Sequence, residues 1–568
     1  MYGLQINNVE EFKINLNYKH TNNTNKTNNT INNTNNINNT NNTNNTNNTN
    51  NTNNTNNTNN TNNTNETNNT NEINNTNEIN NTNEINNTNN TNNTNNTNNA
   101  NNTNNTNNTN NTNNTNNTNE INNTNNTNEI LWYPSTNGKK RILWAGTHIH
   151  QSNGYSRVMY YITKYLGKYE DIELTIYGFQ NFTSYELQKT LRNDIDPSVI
   201  IYDAYQHEEP KRNGFGELEI GNYIKNNPQD IIIIFNDSIV TTSLTADIMK
   251  VCGSVRDKFK LISYMDQVYT YQKKDYIHIL NTYFDSIIAF TPYWRTIAYK
   301  LGIRKSMTIH VLPHGFDHNL YYPIDQTVSR IYYGYNDNDF MVLNLNRNQP
   351  RKRWDTTIIA WAEFVERHYN VNVTKKILKQ DCKINKFTSR PIKLVIGTAM
   401  DGYWDLMDVF ENELKFRDVP IEYAMNTIIS IKSPQQLSDR DINILYNACD
   451  VGLNTADGEG FGLCGFEGLA IGKAQISSYV GGMREFFNDN IALLIKPKLN
   501  IYLDNKNNGI GGVAELCDPH DVAEAFWKYF SSPELMQKHA IKGRQHILTN
   551  YRWESIIAYL HNNIIPKL

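Results

Sequence analysis

Past residue 130 the chain alternates short apolar runs with stretches whose apolar residues recur every three to four positions. KRILWAGTHI, within 139–149, predicts a buried strand. A turn at Ser152-Asn153-Gly154 follows, and then Val158, Tyr161, Ile162 and Tyr165 fall at helical spacing. IELTIYGF (172–179), IIIIF (231–235), KLISYM (260–265) and SIIAF (286–290) predict four more strands. A second series runs through FMVLNL (340–345), a helix over 355–368, IKLVIG (392–397), a helix near 404–416, a strand near 427–431, VGLNT (451–455) and AQISSY (474–479). Ser438 is placed to cap a helix with Ile442, Leu445, Tyr446 and Cys449 on one face, and 520–562 reads as helices. Strands alternating with helices imply parallel βαβ units, hence an α/β protein. Two such series in 439 residues imply two Rossmann-like domains, because one core rarely grows past about 250–300 residues. The expected division is 130–325 and 326–568, with the break near 320–335 at Tyr321-Tyr322-Pro323 and the polar 335–339 stretch.

Composition changes the picture at the other end. From Thr21 to Glu129 the chain is almost only Asn and Thr, with NNT repeating at period three. Such a tract cannot bury enough apolar surface to offset its ordering entropy, so 1–129 is expected to be a disordered low-complexity arm. Repeat expansion in an AT-rich genome, as in amoebae and the giant viruses that infect them, is its simplest origin. Removing the 109 tract residues, with their seven charges, leaves 459 residues carrying 101 charges and a net +1. The whole-chain charge of −4 and mean hydropathy of −0.70 therefore describe a mixture.

A folded part near neutrality argues against a nucleic-acid binder driven by phosphate contacts. The longest purely aliphatic run, Ile231 to Ile234, is too short to span a bilayer, which leaves peripheral membrane contact open. No signal peptide is visible in the first twenty residues. The five cysteines (Cys252, Cys382, Cys449, Cys464, Cys517) are scattered and odd in number. They fit a reducing compartment, cytoplasmic, or a host cytoplasm or virion for a viral chain, and they form no metal-ligand cluster.

Three segments leaving strand ends carry chemistry. Asp457 to Gly472 places Gly458, Gly460, Gly462 and Gly465 where backbone N–H groups can approach a ligand, ahead of a helix starting near Cys464 or Gly465. Glu459 and Glu467 are acceptor-only carboxylates suited to sugar and ribose hydroxyls. Asn344 to Trp354 holds Arg347, Arg351, Lys352 and Arg353, able to neutralise a diphosphate without a metal. Val311-Leu-Pro-His314-Gly-Phe-Asp317 is a shaped turn near the domain break.

Together these segments resemble the retaining nucleotide-sugar glycosyltransferases of the GT-B fold, family 4 (glycosyl transferases group 1), over roughly 139–560. The matches are Glu459-x7-Glu467, Gly481-Gly482-x-x-Glu485, the Arg347 and Lys352 pair, and Pro313-x-Gly-x-Asp317. The resemblance implies two Rossmann-like domains facing a cleft, with the final helix around Trp553 crossing back. It implies a UDP- or GDP-sugar as donor substrate, no metal or other cofactor, and a glycan, lipid or protein acceptor. Glu459 would contact the donor sugar, and the backbone of Gly460, Phe461, Gly462 and Leu463 would line sugar and phosphate. Glu467 would bind the ribose, Arg347 and Lys352 would stabilise the leaving diphosphate, and Gly154 and Asp266 would approach the donor.

The chain departs from the family pattern at four places. Met265 stands where many relatives have a His before Asp266, Arg353 replaces a glycine, Cys464 replaces a proline, and Gly154 is a lone glycine beside Asn153. One rival is a catalytically inactive GT-B domain serving as a binding or surface module with the arm. A metal-dependent GT-A enzyme would need Asp-x-Asp after a strand. Here the pairs Asp194/Asp196, Asp337/Asp339 and Asp439/Asp441 sit in a turn, before a strand and at a helix start.

Overall fold

The computed structural model describes residues 130–568 apart from 131, 134, 136, 183–191, 211, 379–389, 432–435 and 505–510. Before residue 130 it describes only the backbone of short strand fragments of two to four residues, paired two by two. The expected disorder of 1–129 falls outside the described residues.

Seven strands make the first sheet: β1 (Lys140–Thr147), β2 (Ile172–Phe179), β3 (Ile200–Asp203), β4 (Ile231–Asn236), β5 (Lys260–Met265), β6 (Ser286–Ala289) and β7 (Thr308–Val311). All neighbours are parallel, in the order β3-β2-β1-β4-β5-β6-β7. Every residue of β4 is buried, as its unbroken isoleucines require of a strand covered on both faces. Six strands make the second sheet: β8 (Phe340–Asn344), β9 (Ile392–Ile396), β10 (Ile428–Ser430), β11 (Val451–Asn454), β12 (Ala474–Ser478) and β13 (Leu493–Ile495). These too are all parallel, in the order β10-β9-β8-β11-β12-β13.

Both sheets are wound alike, outward from the first strand and then back across it. Each therefore has a switch point, between β1 and β4 and between β8 and β11, where chains leave in opposite directions and a crevice opens at the carboxyl ends. Ser152–Gly154 follows β1 and Asp237 follows β4. The Arg347–Lys352 stretch follows β8, and the glycine-rich loop follows β11. This is the two-sheet, Rossmann-like architecture expected from the sequence.

Helices cover the sheets. α1 (Gly154–Leu166) is capped by Asn153, whose side chain accepts from Ser156 N. α2 is Pro292–Lys300, α3 Gln326–Tyr333, α4 Asp439–Ala448 and α5 Leu463–Ile471. Ser438 and Asp441 form a reciprocal capping box on α4. The stretch 320–335, where the break is expected, contains α3. Buried Arg330 on α3 is bonded to the Ala448 carbonyl and to Asp450 at 3.0 Å, which fixes the helix to the second half. The last helices return to the first half. On α6 (Trp553–Tyr559), Trp553 stacks on Tyr161 at 5.1 Å and Glu554 accepts from the Tyr165 hydroxyl at 2.8 Å.

Candidate functional site

The loop after β8 closes in a short 3-10 turn, Pro350–Lys352, ended by Arg353 in the left-handed region at φ 50. That reversal separates three consecutive basic side chains. Arg353 pairs with Asp355 outside, while Arg351 and Lys352 turn inward onto Glu459. Arg351 Nη1 donates to Glu459 Oε2 at 2.7 Å and to the Gly458 carbonyl at 3.2 Å. Lys352 Nζ donates to Glu459 Oε1, which also accepts from Asn454 Nδ2 at 3.3 Å. Burial alone would raise the Glu459 carboxyl, but Lys352 and Arg351 outweigh it and pull the pKa down to about 2. Glu459 is therefore ionised at any physiological pH. Arg347 makes no side-chain ion pair or hydrogen bond among the described residues. The residue is exposed and lines the cavity, where partial desolvation by the surrounding protein and the nearby Arg351 charge lower its pKa.

The glycine-rich loop crosses to the first half. A Cβ on Gly460 would lie 1.8 Å from Asp266 Oδ1, so only glycine fits there. The Gly460 carbonyl accepts from Trp294 Nε1 of α2 at 2.7 Å. Gly462, at φ 93, caps α5 without a side-chain hydrogen bond, leaving the first N–H groups of the helix uncommitted. α5 thus begins at Leu463, one or two residues earlier than expected, because Gly462 alone takes the left-handed turn.

Glu467 sits on α5 with both oxygens engaged: Arg157 Nη1 donates to Oε1 and the Tyr446 hydroxyl to Oε2 at 3.1 Å. Arg157, from α1, also pairs with Asp439 at 3.1 Å. Burial raises the Glu467 pKa, and Arg157 partly offsets it. Across the cavity the Tyr155 hydroxyl donates to Asp266 Oδ2, and Asp237 accepts from the N–H groups of Ile239 and Val240. Burial raises the pKa of both carboxyls.

These groups enclose one cavity of about 550 Å³. All ten residues given a donor-side role from the resemblance line it: Gly154, Asp266, Arg347, Lys352, Glu459, Gly460, Phe461, Gly462, Leu463 and Glu467. Sequence reasoning missed Arg157, Tyr155, Asp237 and the engagement of Arg351; Arg157 and Tyr155 carried one usable signal, their place in the first turn of the helix after β1. His314 also lines the cavity, buried among Phe290, Phe461 and Trp553. Among the described residues no group of three or more His, Cys, Asp or Glu is placed to hold a metal, and no helix is long and apolar enough to cross a membrane.

Residues 423–503 match the family model described as glycosyl transferases group 1. No curated protein matches the sequence. Sucrose-phosphate synthase from Thermosynechococcus elongatus superposes with a TM-score of 0.52 at 14% identity, covering 76% of this chain and 100% of that one. The Anabaena protein HepE, in complex with UDP and glucose, gives 0.52 at 15% identity, covering 75% and 99%. A glycosyltransferase from Rickettsia africae gives 0.51 at 16% identity, covering 76% and 98%. At these identities the likeness is one of fold.

Proposed function

We propose, on the premise that residues 423–503 form a glycosyl transferases group 1 domain within a GT-B fold, that the protein transfers a sugar from a nucleoside-diphosphate sugar to an acceptor hydroxyl. The observation that carries the reading is the convergence of Arg347, Arg351 and Lys352 with the uncapped start of α5 and an ionised Glu459 in one cavity. A diphosphate leaving group develops charge as the sugar departs, and pre-placed cations and backbone N–H groups stabilise it there. Three side-chain cations supply the neutralisation a divalent ion gives elsewhere, so transfer is proposed to be metal-independent. HepE binds UDP and glucose in its own crystal structure, and a UDP-sugar is the first donor to try.

In this reading 130–325 forms the acceptor side and 326–568 the donor side. Glu459 stands beside the donor sugar, opposing the positive charge that builds on its anomeric carbon. A carboxylate saturated by Lys352 and Arg351 is a poor nucleophile, which favours retention through the donor's own face over a covalent glycosyl intermediate. Glu467 reaches the ribose once Arg157 yields one oxygen. Closure of the halves excludes water from the donor.

The test incubates the full chain with a panel of UDP- and GDP-sugars, following thermal shift and donor hydrolysis with and without EDTA. EDTA-insensitive hydrolysis is expected. Hydrolysis abolished by EDTA, or no donor binding at all, overturns the proposal. Tight binding without turnover would instead favour an inactive binding module, a reading to which Met265 and the Arg157–Glu467 pair lend weight.

A further inference from the structure

Charge is distributed unevenly around the cavity. Arg347, Arg351 and Lys352 all belong to the second half. The first half contributes one charged base to the lining, Arg157, and it is bonded to Glu467 and Asp439. What the first half presents instead is two carboxyls, Asp237 and Asp266, at the carboxyl ends of adjacent strands β4 and β5. The same lining includes the apolar side chains of Phe215, Phe235, Val240 and Phe290.

His314 adds a second, independent sign. It is 4% exposed, and neither ring nitrogen has a hydrogen-bond partner. Both nitrogens are sealed by the surrounding aromatic rings and burial lowers the pKa to about 3, so the ring adds a neutral stretch to this wall and no positive charge.

We propose that the acceptor is a neutral polyhydroxylated compound with an apolar face or aglycone, such as an uncharged glycoside, and bears no phosphate or carboxylate near the accepting hydroxyl. An anionic group at this wall would meet the carboxyl oxygens of Asp237 and Asp266 with no free cation on the described first-half lining, while Arg351 and Lys352, which act on Asp266 from across the cavity, are already held by Glu459; anionic oxygen set against carboxyl oxygen in a partly desolvated cleft is unfavourable. The carboxylates serve a neutral acceptor by taking hydrogen bonds from its hydroxyls, and the aromatic and aliphatic side chains cover its apolar face. This inference rests on the transferase reading above and specifies the substrate class of the same cavity.

The test uses the full chain saturated with UDP and matched probes: phenyl glycosides of several hexoses and their 6-phosphates, with binding measured by saturation-transfer NMR and calorimetry. The neutral members are expected to bind about tenfold more tightly than their phosphates. Asp237→Asn, which keeps the helix cap because Asn caps as well as Asp, is expected to narrow that gap. Equal or tighter binding of the phosphates, or no binding of any neutral glycoside, overturns the inference. UDP binding is recorded in the same samples; its absence would count against the transferase reading, and its presence with phosphate-selective binding against the acceptor inference alone.

Discussion

Arg351 Nη1 stands 2.7 Å from Glu459 Oε2, while Arg347, four residues earlier on the same loop, has no side-chain partner among the described residues. The two arginines are therefore in different states before any ligand arrives. Arg351 must be shared between Glu459 and a diphosphate; Arg347 is available outright. Replacing Arg347 breaks no bond in the free protein. Arg347→Ala is expected to leave the thermal midpoint unchanged and to lower kcat by about 100-fold, the scale for losing one donor to a developing anion. Product release and a thermal melt on the same preparation check it.

Lys352→Ala and Glu459→Ala are each expected to lower sugar transfer by about 100-fold or more. They differ in stability. Lys352→Ala leaves Glu459 paired with Arg351, whereas Glu459→Ala strands a buried lysine and a partly buried arginine, a loss of about 3 kcal/mol. Because the two residues touch, the double variant should be less impaired than the sum of the single losses in both activity and denaturant midpoint. Strict additivity would show that the pair does not act as a unit.

Deleting 1–129 is expected to leave transfer kinetics unchanged, since every lining residue of the cavity lies between Thr147 and Glu467. Lost activity in that truncation would assign the arm a part in catalysis.

How much of this was legible beforehand depended on burial. β2 and β5 match their expected bounds, 172–179 and 260–265, because burial along nearly their whole length makes them mostly apolar runs between polar residues. β3, β7 and β13 passed unnoticed. Each is three or four residues long and lies at a sheet edge, and β3 has no fully buried position, so none leaves a run long enough to read. Eight of the ten candidate residues were readable because their spacing matches a family pattern; Gly154 and Asp266 were placed by their position after strands, where the chain departs from that pattern. What spacing could not tell is which of Arg351, Lys352 and Arg353 turns inward, since that depends on Arg353 taking φ 50 at the end of the turn. Arg157 was invisible for another reason: its partners are 310 and 282 residues away, and nothing local marks a helix position as ion-paired.

Acid should act on this protein through His314 before it acts through Glu459. The folded pKa of His314 is lowered to about 3 from 6.5, so between those values the unfolded chain binds a proton that the native one does not. Its contribution to stability is whole above pH 6.5 and is lost as pH falls toward 3. Glu459, lowered to about 2 from 4.5, holds its contribution above 4.5 and loses it only as pH falls toward 2. Melts at pH 7 and pH 5 are expected to show a decline that His314→Phe flattens, because phenylalanine fits the aromatic surround without a proton to bind. An unchanged decline in that variant would place the acid-sensitive group elsewhere.

Arg157 and Glu467 give the last expectation. The pair joins α1 of the first half to α5 of the second, with side chains 17% and 7% exposed. Removing only the arginine leaves a carboxylate buried with Tyr446 as its remaining donor. Arg157→Ala is therefore expected to cost about 3 kcal/mol. Arg157→Ala with Glu467→Gln should recover much of that, since a neutral amide tolerates the site without a counter-charge. The same contact bears on the donor. If Glu467 must release one oxygen from Arg157 to take ribose hydroxyls, Arg157→Ala should bind UDP more tightly at a temperature where it remains folded. Calorimetry below the midpoint of the variant decides this: weaker UDP binding would mean that Arg157 holds the subsite in shape rather than blocking it.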